Sequence, residues 1–151
     1  CNFLSPDAPS GENQSFVYCP RTHAAFRHPP HPFPDFLARG VRVCLGTDSL
    51  ASSRKDGPNH PELNMWHELR LFARKHPAVA PRDIFPMATT NAALALGKSS
   101  ELGALSPGHF ADFLAAPYSG PLSDTRIYEE LLYTATVREV FIGGEQVRTP
   151  E

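Results

Sequence analysis

Apolar residues in the first third of the chain fall into short runs separated by polar, proline-rich segments. SFVYC at 15–19 and VRVCL at 41–45 are continuous apolar runs, which favour buried strands. Apolar positions within 33–40 repeat at helical spacing and end in a glycine, a residue that commonly follows the last turn of a helix. The stretches at 1–14 and 20–32 predict loops.

The middle of the chain predicts two helices. After a polar loop at 51–60, residues 61–76 begin with a proline, carry a broad apolar face and end at His76-Pro77. Residues 81–97 also begin with a proline and are mostly apolar. Pro86 falls in the early turns of this second helix, where a missing N–H does least harm.

The texture of the sequence changes after Ser99. Pro107-Gly108 marks a turn, and the apolar segment FADFLAAP after it predicts a strand. A short helix is expected at 126–134. VREVFI, the turn Gly143-Gly144 and EQV then predict a closing β-hairpin.

The order of these elements predicts an α/β fold. Strands that alternate with helices favour parallel βα units, and the trailing strands belong to a different layer. With 151 residues the chain is too short for a whole (β/α)8 barrel, which needs roughly 250 residues.

Composition points to an ordinary soluble globular protein, with 41% hydrophobic and 20% charged residues. The net charge of -2 gives no reason to expect nucleic acid or an anionic membrane as partner. No apolar run is long enough to span a membrane, and no signal peptide is visible. The chain begins at Cys1 rather than Met, so we expect the native N-terminus upstream. Cys19 and Cys44 are expected to be buried free thiols, which suits the cytoplasm.

Asp48 is the sharpest candidate for chemistry. It follows the apolar run 41–45 through Gly46-Thr47, at the carboxyl end of a predicted strand, where βα barrels hold their catalytic groups. A carboxylate leaving such a strand is desolvated unless a metal ion or a cationic group meets it. On spacing alone, Asp48 could equally cap the next helix or order a turn.

The wider context resembles the C-terminal part of the amidohydrolase superfamily over residues 15–148. In chain order the matching segments are SFVYCPRTHAAF, FLARGVRVCLGTDSLAS, LNMWHELRLFARKHP, MATTNAALALG, LGALSPGHFADFLAAP and VREVFIGGEQV. The similarity is to the branch that holds cytosine, guanine, adenosylhomocysteine and aminofutalosine deaminases and the triazine chlorohydrolases. PGxxAD, here residues 107–112, is that family's entry into the C-terminal strands of its composite β-sandwich.

The resemblance implies that residues 1–98 are the last part of a metal-dependent hydrolase TIM barrel and that residues 99–151 belong to the β-sandwich. It also implies that Asp48 ligates a divalent metal, takes a proton from the attacking water and passes it to the leaving group. A divalent cation brings the pKa of a bound water toward neutrality, so that an adjacent carboxylate can carry the proton. Zinc is the expected metal, with iron and manganese as alternatives.

Three further residues are candidates for substrate binding. Ser52 matches a loop position that can contact substrate in the family, although a solvated loop serine fits equally well. His23 lies where the strand-seven loop often carries Ser-Asn, and either a substrate hydrogen bond or a solvent-facing ring is possible. Arg21 could meet an anionic substrate group or pair with an acid.

Other polar residues are expected to be structural. The spacing of His23, His28 and His31 matches no usual structural zinc pattern, and the intervening prolines should hold the three rings apart. His67 and His76 are expected at the surface. Asp112 is expected to order a turn.

The family's HxH pair and its histidines on barrel strands five and six are not in this chain. Cys1-Asn2-Phe3-Leu4 fits the register just after the sixth-strand histidine. We therefore expect a piece that is inactive alone and exposes open barrel edges. The whole protein is expected to hydrolyse carbon–nitrogen (non-peptide) bonds, deaminating a small aminated heterocycle. Its oligomeric state is open, with a homo-oligomer as one option. A non-catalytic amidohydrolase-like scaffold and an independent βα sensor domain are the alternatives.

Overall fold

The computed structural model describes residues 14–52, 62–121 and 124–147. The predictions for residues 1–13, and the predicted helix start at Pro61, lie outside these ranges. The chain divides into two compact units, Cys1–Ala78 and Val79–Glu151. The domain boundary that the resemblance implies between residues 98 and 99 stays a prediction. None of the helices described here is long and apolar enough to cross a membrane.

The N-terminal unit is a parallel strand pair with helices against it. Its elements are β1 (Ser15–Tyr18), α1 (Pro20–Ala25), α2 (Phe33–Ala38), β2 (Arg42–Leu45) and α3 (Met65–Lys75). β1 and β2 pair in parallel, with Tyr18 opposite Leu45. The predicted parallel βα unit is therefore confirmed, and the described part of the chain contains this strand pair rather than a closed barrel.

Alternation along the strands gives their sheet two chemically different faces. Paired residues point to the same face, so Phe16, Tyr18, Val43 and Leu45 share one face and Val17 shares the other with Cys44. The first face packs on helices, since the Phe16 ring stacks on Phe36 of α2 with centroids 4.4 Å apart. We call it the helix face and the other the inner face. Val17, on the inner face, is 39% exposed.

Aromatic rings fill the core on the helix face. Tyr18 and Phe33 lie against Phe72 of α3, with ring centroids 5.9 Å and 5.0 Å away, and Phe36 and Phe72 are fully buried. Cys19 and Cys44 are buried free thiols, as predicted.

One element of this unit was not predicted. Residues 20–32 were expected to form a loop, but Pro20–Ala25 is a helix, α1. Pro20 occupies its first turn, where the fixed φ of proline is already helical and its missing N–H costs nothing. The predicted helix end at Gly40 is confirmed, because Gly40 has a φ of 71° and donates its N–H to the Leu37 carbonyl.

The C-terminal unit begins with two helices where one was predicted. Its elements are α4 (Pro81–Ala88), α5 (Thr90–Ala95), β3 (Phe113–Ala115), α6 (Asp124–Tyr133), β4 (Glu139–Ile142) and β5 (Glu145–Val147). The predicted helix over 81–97 breaks at Thr89, which has a φ of -126° and a ψ of -95°. The Thr89 hydroxyl donates to the Phe85 carbonyl, a local bond that competes with the regular helical pattern.

The strands of this unit form the predicted closing hairpin and its neighbour. β3, β4 and β5 form an antiparallel sheet in that order, with Phe113 stacked on Phe141 at a centroid distance of 4.4 Å. Gly143 and Gly144 turn the hairpin with φ values of 60° and 84°, the conformation that favours glycine. The Asp112 carboxylate accepts the Gly143 N–H at 2.7 Å, which confirms its predicted role at a turn.

Candidate functional site

Asp48 lies in the loop just beyond the carboxyl end of β2, immediately before a turn at residues 49–52. Its φ of 58° is in the left-handed region, where an aspartate is tolerated better than most residues. The side chain is exposed, so the predicted desolvation is not found within the described part of the chain. Asp48 does not cap the following helix, since the Asn64 side chain accepts the Trp66 N–H at the start of α3. Its role as a metal ligand stays a prediction.

The carboxyl ends of the two strands come together beside Asp48. Gly46 donates its N–H to the Tyr18 carbonyl at 3.0 Å, which extends the strand pairing to the site. A side chain at Gly46 would place its Cβ 2.8 Å from Val17 Cγ1 and 3.5 Å from Cys19 Sγ. Burial, and next the charge of Asp48, raise the pKa of the Cys19 thiol. Cys19 and Asp48 are therefore neighbours, and the missing side chain at Gly46 leaves room for Val17.

Ser52 fixes the turn that follows Asp48. The Ser52 hydroxyl lies 3.2 Å from the Ser49 N–H, donates to the Ser49 carbonyl at 3.0 Å, and is 3.0 Å from the Thr22 hydroxyl of α1. Ser52 is buried, so the alternative of a solvated loop serine is wrong. A substrate contact from this residue stays a prediction.

Arg21 makes the pairing with an acid that the sequence left open. Its backbone N–H donates to Glu68 Oε2 at 2.8 Å, its Nε lies 4.0 Å from Glu68 Oε1, and its Nη1 donates to the Glu62 carbonyl at 2.9 Å. Arg21 is 8% exposed and faces an acid. This geometry does not support its predicted contact with substrate, which stays a prediction.

Glu68 is the buried polar residue that the sequence analysis missed. It has no exposed surface, and burial raises the pKa of its carboxyl to about 7 against the opposing effect of Arg21. The available signal was its position on the apolar side of α3, one turn before Phe72.

The histidines behind β1 lie together, contrary to expectation. The His23 ring is 5.4 Å from that of His28 and 5.9 Å from that of His31, so the prolines do not hold them apart. His23 is 5% exposed, and its solvent-facing alternative is therefore wrong. A contact between His23 and substrate stays a prediction.

His67, within α3, and His76, at the end of α3, lie in different environments. His67 is at the surface, as predicted, with Nδ1 3.1 Å from a carboxylate oxygen of Glu62. His76 was also expected at the surface, but its ring packs on Phe33 and Phe72 at 4.5 Å and 4.8 Å. The end of α3 folds onto the aromatic core, and this carries His76 inward.

The described residues do not by themselves fit a catalytic metal. Residues 14–52, 62–121 and 124–147 contain no group of three His, Cys, Asp or Glu side chains that could hold one. Asp48 offers one exposed carboxylate, and a catalytic zinc needs three protein ligands. No step of a reaction can be derived through a metal from these residues alone.

Comparison with known proteins agrees with the α/β fold of the chain. The sequence model described as the amidohydrolase family matches residues 6–147. The chain is 31% identical over 149 residues to a 5-methylthioadenosine/S-adenosylhomocysteine deaminase of Teredinibacter turnerae, covering 87% of this chain and 31% of the relative. It is 33% identical over 152 residues to the deaminase of the same name from Pyrococcus furiosus, covering 91% of this chain and 34% of the relative.

A solved structure has the same fold over most of this chain. An adenosine deaminase from Xanthomonas campestris with bound zinc superimposes with a TM-score of 0.71 at 27% identity, over 87% of this chain and 31% of that one. The chain belongs to the amidohydrolase family, and it spans about a third of the length of the curated relatives it matches.

Proposed function

We propose that the protein carrying this chain is a metal-dependent hydrolase that acts on carbon–nitrogen (non-peptide) bonds and deaminates an aminated heterocycle. A purine nucleoside is the favoured substrate, because the relatives quoted above are named as deaminases of adenosine derivatives. The chain contributes the last βα units of the barrel, and the remaining metal ligands come from polypeptide outside it.

The observation that carries this proposal is the placement of one carboxylate. Asp48 is exposed, follows the carboxyl end of a parallel strand, and has a left-handed backbone conformation. Catalytic groups of βα barrels occupy this end of the strands. A backbone conformation that most side chains avoid is often retained at functional sites.

Within the chain, each neighbour of Asp48 has a defined task. Ser52 and Thr22 hold the turn that follows Asp48 through their hydroxyl groups, and this fixes the backbone beside the carboxylate. Asp48 would accept a proton from the attacking water and deliver it to the leaving amine, a transfer that one positioned carboxylate can perform. Ser52 is proposed to act mainly as a positioning residue for the segment that carries Asp48. Arg21 is proposed to position Glu68. The buried His23 ring is proposed to contact substrate only if the substrate extends to the helix face of β1.

A divalent metal, with zinc favoured over iron or manganese, would supply the lowered pKa of the attacking water. Asp48 is the residue of this chain proposed to bind it. The proposed partner is a small molecule, with neither nucleic acid nor membrane involved, and the proposed location is the cytoplasm. A homo-oligomer is the proposed assembly of the whole protein.

The test is Asp48→Asn in the whole protein, assayed by ammonia release from a panel of aminated purines. Asparagine keeps both the shape and the left-handed backbone, so the fold should be retained. Turnover should fall by roughly a thousandfold, since a positioned proton carrier contributes about 100- to 10,000-fold. Metal content, measured on the same sample, should also fall.

Asp83→Asn is the matched control, since Asp83 is an exposed acid in the first turn of α4. It should leave turnover and metal content unchanged. Turnover close to wild type in Asp48→Asn, with circular dichroism showing a native fold, would refute the proposal.

A further inference from the structure

A cavity of about 380 Å³ opens behind the end of β1, on the helix face of the sheet. Its walls come from β1, α1, the proline-rich segment after α1, and the end of α3. The lining residues are Tyr18, His23, Ala24, Arg27, His28, Pro30, His31, Lys75 and His76. Neither Asp48 nor Ser52 is among them. Tyr18 points here, whereas Cys19, next in the chain, lies beside Asp48.

The charges around this cavity have one sign. Arg27 and Lys75 are exposed cations at its rim, four histidines line it, and no carboxylate is among the described residues that do so. The charge of Lys75 reaches the interior, since it contributes to lowering the pKa values of both His23 and His76, after burial. A cavity with cations and no counter-charge attracts anions.

The buried imidazoles carry polar atoms that the described residues leave without partners. His23 Nε2, both ring nitrogens of His31, and His76 Nε2 have no hydrogen-bond partner within the described chain. His23 and His31 are each 5% exposed. Buried polar groups without partners destabilise a fold, so their retention on one cavity wall indicates a ligand that pairs with them.

The walls are also built to hold a fixed shape. The His31 ring stacks on Tyr18 with centroids 4.2 Å apart, and His23 meets Tyr18 edge-on at 5.3 Å. Arg27 has a φ of 53°, and Asp48 is the other non-glycine residue of the described chain with a positive φ. The left-handed conformation of Arg27 ends α1, because the Arg27 N–H donates to the Ala24 carbonyl and the His28 N–H donates to the His23 carbonyl.

We propose that this cavity binds a small oxyanion, a phosphate or a carboxylate group, with Arg27 and Lys75 pairing its oxygens and His23, His31 and His76 donating from the wall. The site goes beyond the hydrolytic function proposed above and does not depend on it. Charge-assisted hydrogen bonds from several donors are the usual means of holding such a group.

The proposal predicts that anion binding takes up protons. Without a ligand, burial lowers the pKa of His31 to about 4 and also lowers the pKa values of His23 and His76. An anion favours the protonated rings, so the affinity for succinate should increase as the pH falls from 8 to 6. Succinate is the probe for this effect because it stays largely ionised over this range, whereas phosphate itself gains a proton. The other charged or titratable groups that face these rings are Arg27, His28, Lys75 and Tyr18, and burial raises the pKa of the Tyr18 phenol to about 12.

The experiment is isothermal titration of the whole protein with inorganic phosphate and, separately, with succinate at constant ionic strength. The test variant is Arg27→Gln/Lys75→Gln. Arg74→Gln is the matched control, because Arg74 is an exposed cation one residue before Lys75 and does not line the cavity. Binding should weaken at least about tenfold in the double variant, the loss expected for one charge-assisted hydrogen bond, and should be unchanged in the control.

The two anions identify the source of the ligand. Tighter binding of phosphate indicates a phosphorylated ligand, tighter binding of succinate indicates a carboxylate, and either result supports the site. Absence of saturable binding of both anions overturns the proposal. Equal loss in Arg74→Gln and in the double variant, or an affinity for succinate that does not increase at lower pH, also overturns it. Because binding is read directly, failure here leaves the hydrolase proposal untouched.

Discussion

The two units of the chain bury different chemistry. In the part of the chain that the structure describes, the buried polar residues all belong to the N-terminal unit: Arg21, Thr22, His23, His31, Ser52 and Glu68. The C-terminal unit buries apolar side chains, namely Ile84, Met87, Ala93 and Leu132. Polar groups are costly to bury and apolar ones stabilise a core. We infer that burial of polar groups in the first unit lowers its free energy of unfolding and serves a polar site. The buried residues of the second unit serve its stability.

The largest expected effect comes from breaking the buried ion pair. Arg21→Met leaves Glu68 in the core without its guanidinium, and above about pH 8, where this carboxyl is ionised, the change should lower the free energy of unfolding by about 3 to 5 kcal/mol. Chemical denaturation of the whole protein measures it. Adding Glu68→Leu should recover most of the loss, because the uncompensated acid is then gone.

Arg82→Met is the matched control from the other unit. Arg82 lies 3.7 Å from Asp83, and both side chains are more than 60% exposed. Such a pair contributes about 0 to 1 kcal/mol. Similar losses for the two arginine variants would remove the distinction between the units.

A smaller effect is expected from titration of the buried histidine. Burial lowers the pKa of His31 from 6.5 to about 4, so the unfolded chain binds this proton more readily than the folded one. The stability that depends on neutral His31 is present above pH 6.5 and is lost as the pH falls toward 4. His31→Phe keeps a ring against Tyr18 and abolishes the titration. Its stability relative to wild type should rise by roughly 2 to 4 kcal/mol across that pH range.

Glu68 also contributes to the pH dependence of stability, so the His31→Phe curve has to be compared with that of the wild type. The Glu68 carboxyl has a pKa raised to about 7, so its contribution runs the opposite way, favouring the folded state as the pH falls from 7 to 4.5. Subtracting the wild-type curve from that of His31→Phe removes this background. A flat difference curve for His31→Phe would contradict its buried, neutral state.

The smallest expected effect is in the C-terminal unit. Asp112→Ala removes the exposed acceptor of the Gly143 N–H and should cost about 1 kcal/mol. Glu145→Ala, an exposed change in the same hairpin, should cost less. Thermal unfolding of the two variants measures the difference, and a loss for Asp112→Ala as large as that for Arg21→Met would show that surface turns matter as much as the polar core.

The sequence could predict what depends on neighbours in the chain. Local apolar patterns predict the strand before Asp48. The residues that favour turns predict the helix end at Gly40 and the hairpin at Gly143-Gly144. The role of Asp112 followed from the same local logic. Pro20 was a usable signal for α1, but histidines and further prolines after it suggested a loop.

Tertiary contacts account for the rest. His76 is half-buried because the end of α3 folds onto Phe33, a residue more than forty positions earlier in the chain. Glu68 meets Arg21 in the same way, from a separation of 47 residues. No local pattern reports such distances. The break at Thr89 was missed because its hydroxyl bond to Phe85 competes with a helix that propensity alone would continue.

The alternating faces of β1 make its length critical. Tyr18 supports the histidine cavity and Cys19 neighbours Asp48, although the two are consecutive. Inserting or deleting one residue before Tyr18 would exchange these assignments, turning the phenol toward the carboxylate and the thiol toward the imidazoles. An engineer grafting this segment could redesign the connections around it, but would have to keep the residue count of the strand unchanged.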